Sequence, residues 1–539
     1  MSETLCLTIN GREVLGKTGN TILQVALDNG IHIPHLCGQT CLEPFGACGL
    51  CLVEPEGGGR LLRACSTPVG EGMTVDSETL RVRRARRMAL ELLLSDHDGD
   101  CVGPCALACP AHVDCQGFLR AVAHGDLRQA AAVLLDRLPL PASTGRVCTH
   151  PCEAACRRRL VEAPLSIAGL QVFAAEANLR APQPVRPRVS PATGRSVAVV
   201  GGGPCGLSAA CFLARMGHLV TLFDALPQMG GTLRTAVSSA RLPQDVLDLE
   251  IAEIEALGVQ FVPGHRISSG QELSDLQSGY DAVLLAIGAG TAASGIADGL
   301  LPPRDTAARR VGPDILPELP RTTAGRFAVE PSSYRVSLEG VFAAGDAAGR
   351  GVSHAAAAIG QAAAASAAID AFLRGVSPPR PAAPRSRRSV SSGGLQTVEH
   401  RPRANCPADG FSPEAAQAEA LRCLSCGCSA YPSCGLLHEL DAEQIRLGRL
   451  GDPPQRDGPQ PRPGAVLYDR SKCILCGQCV RVCHEQAKQD LLDFAARGFD
   501  TSIRAVPSYP GQEAVCQSCR RCVEICPTGA LRPAPEGGP

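Results

Sequence analysis

The order of apolar and polar positions divides the chain into stretches of different period. The opening residues, "ETLCLTINGREV", alternate as a half-buried strand does, and "TILQVALDNG" shifts to the period of a short helix. "RVRRARRMALELLLSD" predicts a helical connection. "SVAVV" (196–200) is a continuous apolar run, as expected of a strand covered on both faces; a glycine turn, an amphipathic helix and a second strand ending at Asp224 follow it. "DAVLLAIGAG" (281–290) reads as another buried strand, and "GRFAVEP" (325–331) as one returning to the same sheet. An alanine-rich buried helix is predicted in "SHAAAAIGQAAAASAAIDAFL", and "EAAQAEALRC" is a helix running into cysteines. Residues 376–405, rich in Pro, Arg and Ser, carry no period and read as a solvated tether.

A chain of 539 residues exceeds one core. The expected fold is multidomain α/β and α+β, with domains at 1–80, 95–185, 194–375, 406–450 and 465–535. The net charge of -1 gives no electrostatic reason to expect nucleic acid as a partner. The N-terminus lacks a signal pattern and no apolar run reaches the length of a bilayer span, so a cytoplasmic location without a membrane span is expected. In a reducing cytosol the 28 cysteines are metal ligands rather than disulfides. Four of them, Cys6, Cys205, Cys211 and Cys406, stand outside the spaced groups and read as packing or surface residues.

Cys37, Cys48, Cys51 and Cys65 follow the spacing C-x10-C-x2-C-x13-C, with glycines at 38, 46 and 49 that let a loop turn its amides toward sulfur. Four thiolates on one such loop suit a [2Fe-2S] cluster, with structural zinc as the alternative. Segment 1–80 resembles the plant-type ferredoxin domain at the start of iron-only hydrogenases and of the large peripheral iron-sulfur subunit of respiratory complex I. That resemblance implies a β-grasp domain.

"HDGDCVGPCALACPAHVDCQGF" and "TGRVCTHPCEAACRRRLVEAPLSIAGLQVF" resemble the N-terminal helical domain of dihydropyrimidine dehydrogenase and of the glutamate synthase small subunit, which holds two [4Fe-4S] clusters. By position the resemblance implies one cluster on Cys109, Cys148, Cys152 and Gln171, and another on Cys101, Cys105 and Cys156. Here the chain departs from the family, because no cysteine precedes Cys101 at the needed distance. His97, Asp98 and Cys115 are the candidates for the missing ligand, and a three-cysteine cluster with an open iron is the remaining option. His97 stands four before Cys101, the spacing of a histidine ligand in the hydrogenase and complex I family.

Strand, G-x-G-x-x-G at Gly201, Gly203 and Gly206, helix, and Asp224 at the end of the second strand together form a dinucleotide fingerprint. The glycines admit pyrophosphate to the helix N-terminus and the carboxylate accepts from a ribose hydroxyl. "QMGGTLRTAVSSARLP", "LLAIGAG" and "GVFAAGDAAG" resemble the Rossmann-like FAD domain of the glutamate synthase small subunit. The resemblance adds Gly230, Gly231, Arg241, Gly288, Gly345 and Asp346 to the cofactor site, with the last two on the ribityl chain and phosphate. A second dinucleotide domain needs two βαβ units of roughly 30 residues each; the stretch between Gly290 and Gly340 is too short for both. The nicotinamide domain of the family is therefore expected to be missing.

Cys423, Cys426, Cys428 and Cys434 form a compact four-cysteine motif for a [4Fe-4S] cluster or zinc. C-x2-C-x2-C-x3-C occurs at Cys473, Cys476, Cys479 and Cys483 and again at Cys516, Cys519, Cys522 and Cys526, the pattern of a bacterial 2[4Fe-4S] ferredoxin. The fourth cysteine of each run serves the other cluster, which groups Cys526 with the first three and Cys483 with the second three.

These expectations converge on an electron-transfer subunit of a soluble oxidoreductase complex, carrying FAD, one [2Fe-2S] and about four or five [4Fe-4S] clusters. It would relay or bifurcate electrons between its clusters and partner subunits of hydrogenase, formate dehydrogenase or NAD(P)H dehydrogenase type, with ferredoxin as a further partner. A flavin-dependent reductase of a small substrate and a non-redox cluster scaffold are the alternatives. No side chain is expected to act as a catalytic acid or base.

Overall fold

The computed structural model describes residues 3–39, 41–97, 100–267, 269–288, 319–323, 326–348, 354–378, 398–404, 406, 410–428, 430, 431, 433–445, 449, 450, 460–462, 466–506 and 512–533. It divides the chain into two compact units. One gathers Met1–Val102 with Gly427–Pro539; the other runs through Gly103–Pro381 and Val390–Cys426. The division differs from the sequence boundaries in two places. The helical domain expected from residue 95 begins at 103, and the four-cysteine motif is cut after Cys426.

In the first unit the strands Thr4–Ile9 and Arg12–Lys17 pair antiparallel across Asn10 and Gly11, both at positive φ. That conformation is the tight turn an Asn-Gly pair favours. Thr74–Asp76 joins Thr4–Ile9 in parallel, and Leu52–Pro55 and Leu62–Arg63 complete a five-stranded sheet. The helix Ile22–Asp28, capped by the Thr21 hydroxyl, buries Ile22, Leu23 and Val25 against Leu7 and Ile9. On the helix Leu80–Asp96, Val82, Arg86, Leu90 and Leu94 form a buried stripe at four-residue spacing. Arg86, 1% exposed, is satisfied by Glu443 at 2.8 Å and by the Ser77 carbonyl at 2.7 Å. Where the chain leaves this unit and where it re-enters are adjacent, since the Cys428 amide donates to the Cys101 carbonyl at 3.1 Å. The C-terminal part adds two small antiparallel sheets, one centred on Val466–Tyr468 and one formed by Leu492–Ala495 with Ser502–Ala505.

The second unit is built on a parallel sheet in the order Val341–Ala343, Ala282–Leu285, Ser196–Val200, Leu219–Phe223, Gln260–Val262. Its central strands are buried on both faces, as their unbroken apolar sequences require. The helix Ala355–Leu373 is long and apolar enough to cross a membrane by length and composition; here it packs on Pro204–Arg215 with Ile359, Ala362, Ala365 and Ile369 in the core. A Cβ at Gly360 would stand 2.1 Å from the Pro110 carbonyl oxygen, so this helix closes directly on the turn after Cys109. The helices Cys115–Ala123, Leu127–Arg137, Pro141–Val147 and Ile167–Leu179 form the helical layer.

Two expectations change here. The described residues of "GRFAVEP", 326–331, form no strand: Phe327 makes a single bridge with Arg321 and its amide bonds the Ala347 carbonyl at 2.8 Å. Residues 398–404 are not a tether, because Arg158 donates to the Glu399 carbonyl at 2.6 Å, the Arg401 amide to Glu162 at 2.8 Å and the Ala404 amide to Glu419 at 2.8 Å. The stretch between Gly290 and Gly340, expected to be too short for a nicotinamide domain, lies mostly outside the described residues. Among the described residues the parallel sheet above is the only all-parallel sheet.

Candidate cofactor cradle and thiolate groups

Strand Ser196–Val200 ends in a turn that only glycine fits. Gly201 has φ +112°, and a Cβ on Gly206 would lie 1.7 Å from the Gly201 carbonyl oxygen. Pro204 at the first turn of the next helix has a fixed φ suited to that position. Gly231, at φ +51°, approaches so closely that its Cβ would be 2.7 Å from the Gly203 Cα, and the Gly230 amide bonds the Gly202 carbonyl at 2.8 Å. Gly201, Gly203, Gly206, Gly230 and Gly231 are thus brought together in one backbone cradle.

Asp224, 8% exposed, uses both oxygens to accept backbone amides, from Gly202 and from Leu226 at 2.7 Å. Sequence reasoning gave this carboxylate to a ribose; the structure shows that it also closes the glycine turn. Gly345, at φ +70°, lies against Cys205, which a Cβ would meet at 2.9 Å. Asp346 Oδ1 is buried without a hydrogen-bond partner, the Arg326 guanidinium standing 3.8 Å away, and burial raises the pKa of this carboxyl. A buried carboxylate oxygen that accepts no hydrogen bond at a glycine cradle fits a hydroxyl-bearing nucleotide cofactor. Gly288, at φ +77°, follows the Ala282–Leu285 strand, and Arg241 donates to the Arg146 carbonyl at 2.8 Å.

The Cys37 and Cys48 sulfurs are 3.5 Å apart, and the Cys65 amide reaches the Cys51 sulfur at 3.5 Å. All four thiols are buried, and Cys65 hydrogen-bonds both Cys37 and Cys51, so the four sulfurs form one group. The Cys37 thiol falls far below its usual range, with Cys48 and then Cys65 as donors, while Cys48 and Cys65 are pushed up. Gln478 donates to the Leu36 carbonyl at 2.7 Å and Arg481 to the Cys37 carbonyl at 3.2 Å, fastening this loop to the C-terminal ferredoxin-like segment.

In that segment Cys473, Cys476 and Cys479 are pushed up, by burial first, with Cys526 adding to each and Cys473 adding to the other two. Cys522 is raised to about 12, by burial first and then by Cys516, Cys483 and Cys519. The structure therefore brings together the two crossed sets. Cys476 also feels Cys37, and Cys479 feels Cys522, so successive groups adjoin. Cys434 is raised to about 11 by burial, with Cys428 and Cys526 adding to it. His97, 4% exposed, hydrogen-bonds the Lys472 backbone and is pushed down to about 3, by burial first and then by Lys472. Its Nδ1 has no hydrogen-bond partner.

In the second unit Cys109 and Cys148 are raised chiefly by burial, with Cys152 beside both. Gln171 is buried and donates to the Pro141 carbonyl at 2.7 Å. Cys115, 2% exposed, shares hydrogen bonds with Cys105 and Cys152. Cys101 falls in the first unit and Cys105 and Cys156 in the second, and Asp98 lies outside the described residues. Sequence reasoning missed the buried charges of this unit. Arg422 joins Glu419 at 2.7 Å and Glu162 at 3.0 Å, and Glu419 also accepts the Ser166 amide at 2.8 Å. A Glu three residues before an Arg was the only signal for it.

Among the described residues no three His, Cys, Asp or Glu side chains close around one metal ion.

Four family models match the chain. Residues 2–79 match a 2Fe-2S iron-sulfur cluster binding domain, 99–182 dihydropyrimidine dehydrogenase domain II with its 4Fe-4S cluster, 162–362 a pyridine nucleotide-disulphide oxidoreductase and 472–530 a 4Fe-4S dicluster domain. The chain thus carries iron-sulfur domains of both kinds around an oxidoreductase domain. It is 39% identical over 206 residues to the NADP(+)-dependent formate dehydrogenase subunit beta of Moorella thermoacetica, covering 34% of this chain and 29% of that one. It is 35% identical over 190 residues to the NADPH-Fe(3+) oxidoreductase subunit beta of Geobacter sulfurreducens, covering 34% and 28%. To the NAD-dependent dihydropyrimidine dehydrogenase subunit PreT of Salmonella typhimurium it is 35% identical over 187 residues, covering 34% and 45%. The chain spans less than half the length of each of these relatives.

Proposed function

We propose that the chain is an electron-transfer subunit of an oxidoreductase complex, holding FAD in the glycine cradle, one [2Fe-2S] cluster on Cys37, Cys48, Cys51 and Cys65, and [4Fe-4S] clusters on the remaining cysteine groups. We read the N-terminal sheet as a β-grasp ferredoxin domain and the parallel sheet as a Rossmann-like flavin domain. FAD and the clusters supply two-electron and one-electron chemistry when bound. The chain's own residues fix their positions, exclude water and set the charge around them. The partners are subunits of hydrogenase, formate dehydrogenase or NAD(P)H dehydrogenase type, consistent with relatives named as subunits of formate dehydrogenase and NADPH-Fe(3+) oxidoreductase.

The observation that carries this reading is adjacency within each unit. In the first, Cys37 lies within electrostatic reach of Cys476, and Cys479 of Cys522; in the second, Gly360 sets the helix after the glycine-aspartate turn on the residue following Cys109. The test is anaerobic reduction of the full-length, cofactor-loaded chain. Reduced ferredoxin should bleach the flavin absorbance, whereas NADPH alone should not. Rapid bleaching by NADPH would overturn the assignment of hydride exchange to another subunit.

A further inference from the structure

The sequence places Cys423, Cys426, Cys428 and Cys434 in one motif, yet the structure divides them between the two units. Within the second unit, Cys423 feels the charge of Cys105, Cys426 and Cys156; Cys426 feels Cys105 and Cys156; and Cys156 feels Cys105. Every pair among the four is therefore in mutual electrostatic reach. Cys105 comes from the short helix Pro104–Ala108, Cys156 from the turn after Pro151–Ala154, and the other two from the turn after Pro413–Ala420.

Independent contacts hold these segments together. Arg422, adjacent to Cys423 and 2% exposed, donates to the Ala163 carbonyl at 2.7 Å and to the Arg401 carbonyl at 2.9 Å. Arg158, two residues after Cys156, donates to the Arg422 carbonyl at 3.3 Å. A buried guanidinium is retained only where its partners are complete, so the sulfurs of the two segments are held in a fixed relation. Arg157, next to Cys156 in the chain, hydrogen-bonds the Cys426 side chain, and its charge offsets the negative charge of a thiolate-ligated cluster.

We propose that Cys105, Cys156, Cys423 and Cys426 hold one [4Fe-4S] cluster, a ligand set assembled from both ends of the second unit. Each thiol gives up its proton as it binds iron. The four-cysteine motif is then two half-sites, with Cys428 and Cys434 serving the first unit. Cys115 lies at the edge of this cage, between it and the Cys109, Cys148 and Cys152 group.

Iron and acid-labile sulfide counts on the full-length chain, purified anaerobically, test the assignment, with reductive EPR titration as a second readout. Cys423→Ser combined with Cys426→Ser should remove about four iron and about four sulfide and one [4Fe-4S] signal, leaving the [2Fe-2S] signal and the flavin in place. Adding Cys105→Ser should remove no more iron, whereas adding Cys428→Ser should. Full iron retention in the double variant, or iron loss that adds to that of Cys105→Ser, overturns the proposal.

If the variants fail to fold, the unaltered protein gives the answer through graded oxidative stripping followed by alkylation and mass spectrometry. Cys423 and Cys426 should become labelled in step with Cys105 and Cys156; labelling in step with Cys428 and Cys434 refutes the site. These readouts are independent of electron flow, so failure of the relay reading and failure of this site remain distinguishable.

Discussion

Two groups of four cysteines in this molecule are built in opposite ways. Cys473, Cys476 and Cys479 come from one short run beside the Val466–Tyr468 sheet, and only Cys526 arrives from elsewhere. Cys105, Cys156, Cys423 and Cys426 come from a short helix and two separate turns and depend on Arg158, Glu162, Glu419 and Arg422 to meet. A run with fixed spacing presents its sulfurs by loop geometry alone. A dispersed set requires the tertiary fold first, so its stability and its ligands stand or fall together.

The largest effect expected from that contrast is produced by excision. Joining Val102 directly to Gly427 spans a point where the chain is already closed by the bond from the Cys428 amide to the Cys101 carbonyl. The shortened chain should lose all flavin while keeping the [2Fe-2S] signal and the paired C-terminal clusters, measured by flavin extraction and EPR. Loss of every iron signal would mean that the locally built groups also need the second unit.

Gly206→Ala should be nearly as severe for flavin, with a retained fraction lower by about tenfold or more, because its Cβ would collide with the Gly201 carbonyl. Iron content should not change.

Arg422→Ala leaves the buried Glu419 without its only guanidinium partner among the described residues and should cost the second unit about 3 kcal/mol. Arg86→Ala should do the same to the first unit by stranding Glu443. In a thermal ramp, Arg422→Ala should release flavin early while the [2Fe-2S] signal persists, and Arg86→Ala should reverse that order. Simultaneous loss in both variants would show that the units unfold as one.

The smallest effect concerns pH. Glu250, buried among the Ala142 and Ser143 amides, is raised by burial to about 7. A carboxyl held protonated in the folded state contributes stability that is complete below its unfolded pKa and declines as pH rises toward 7, by about 3 kcal/mol in all. Glu250→Gln should flatten that decline in the flavin-release midpoint measured from about pH 4.5 to about pH 7.

The same contrast explains what the sequence revealed. The strand, glycine turn, helix and Asp224 follow one another along the chain, and the structure places them as expected. The crossed pairing of Cys526 and Cys483 was legible because the two runs repeat. Nothing in the motif of Cys423, Cys426, Cys428 and Cys434 signals that a unit boundary passes after Cys426. Residues 398–404 read with the tether because Pro, Arg and Ser dominate the stretch that begins at 376, but Arg403 is paired with Glu153 at 2.8 Å and neighbouring backbone is bonded to Glu162 and Glu419. Composition records charge; whether an arginine faces water or a buried carboxylate depends on residues hundreds of positions away.

The hydrogen bond between Cys428 and Cys101 also has a consequence for synthesis on the ribosome. Leu36, Leu90 and Leu94 pack against Leu436, Leu437 and Leu440, so the amino-terminal part of the first unit emerges early and keeps an apolar face uncovered while the whole second unit is translated. At ordinary elongation rates that wait lasts on the order of tens of seconds. The inserted unit can mature as soon as Cys426 is made, while the surrounding one depends on a chaperone or on slow collapse until its last stretch appears.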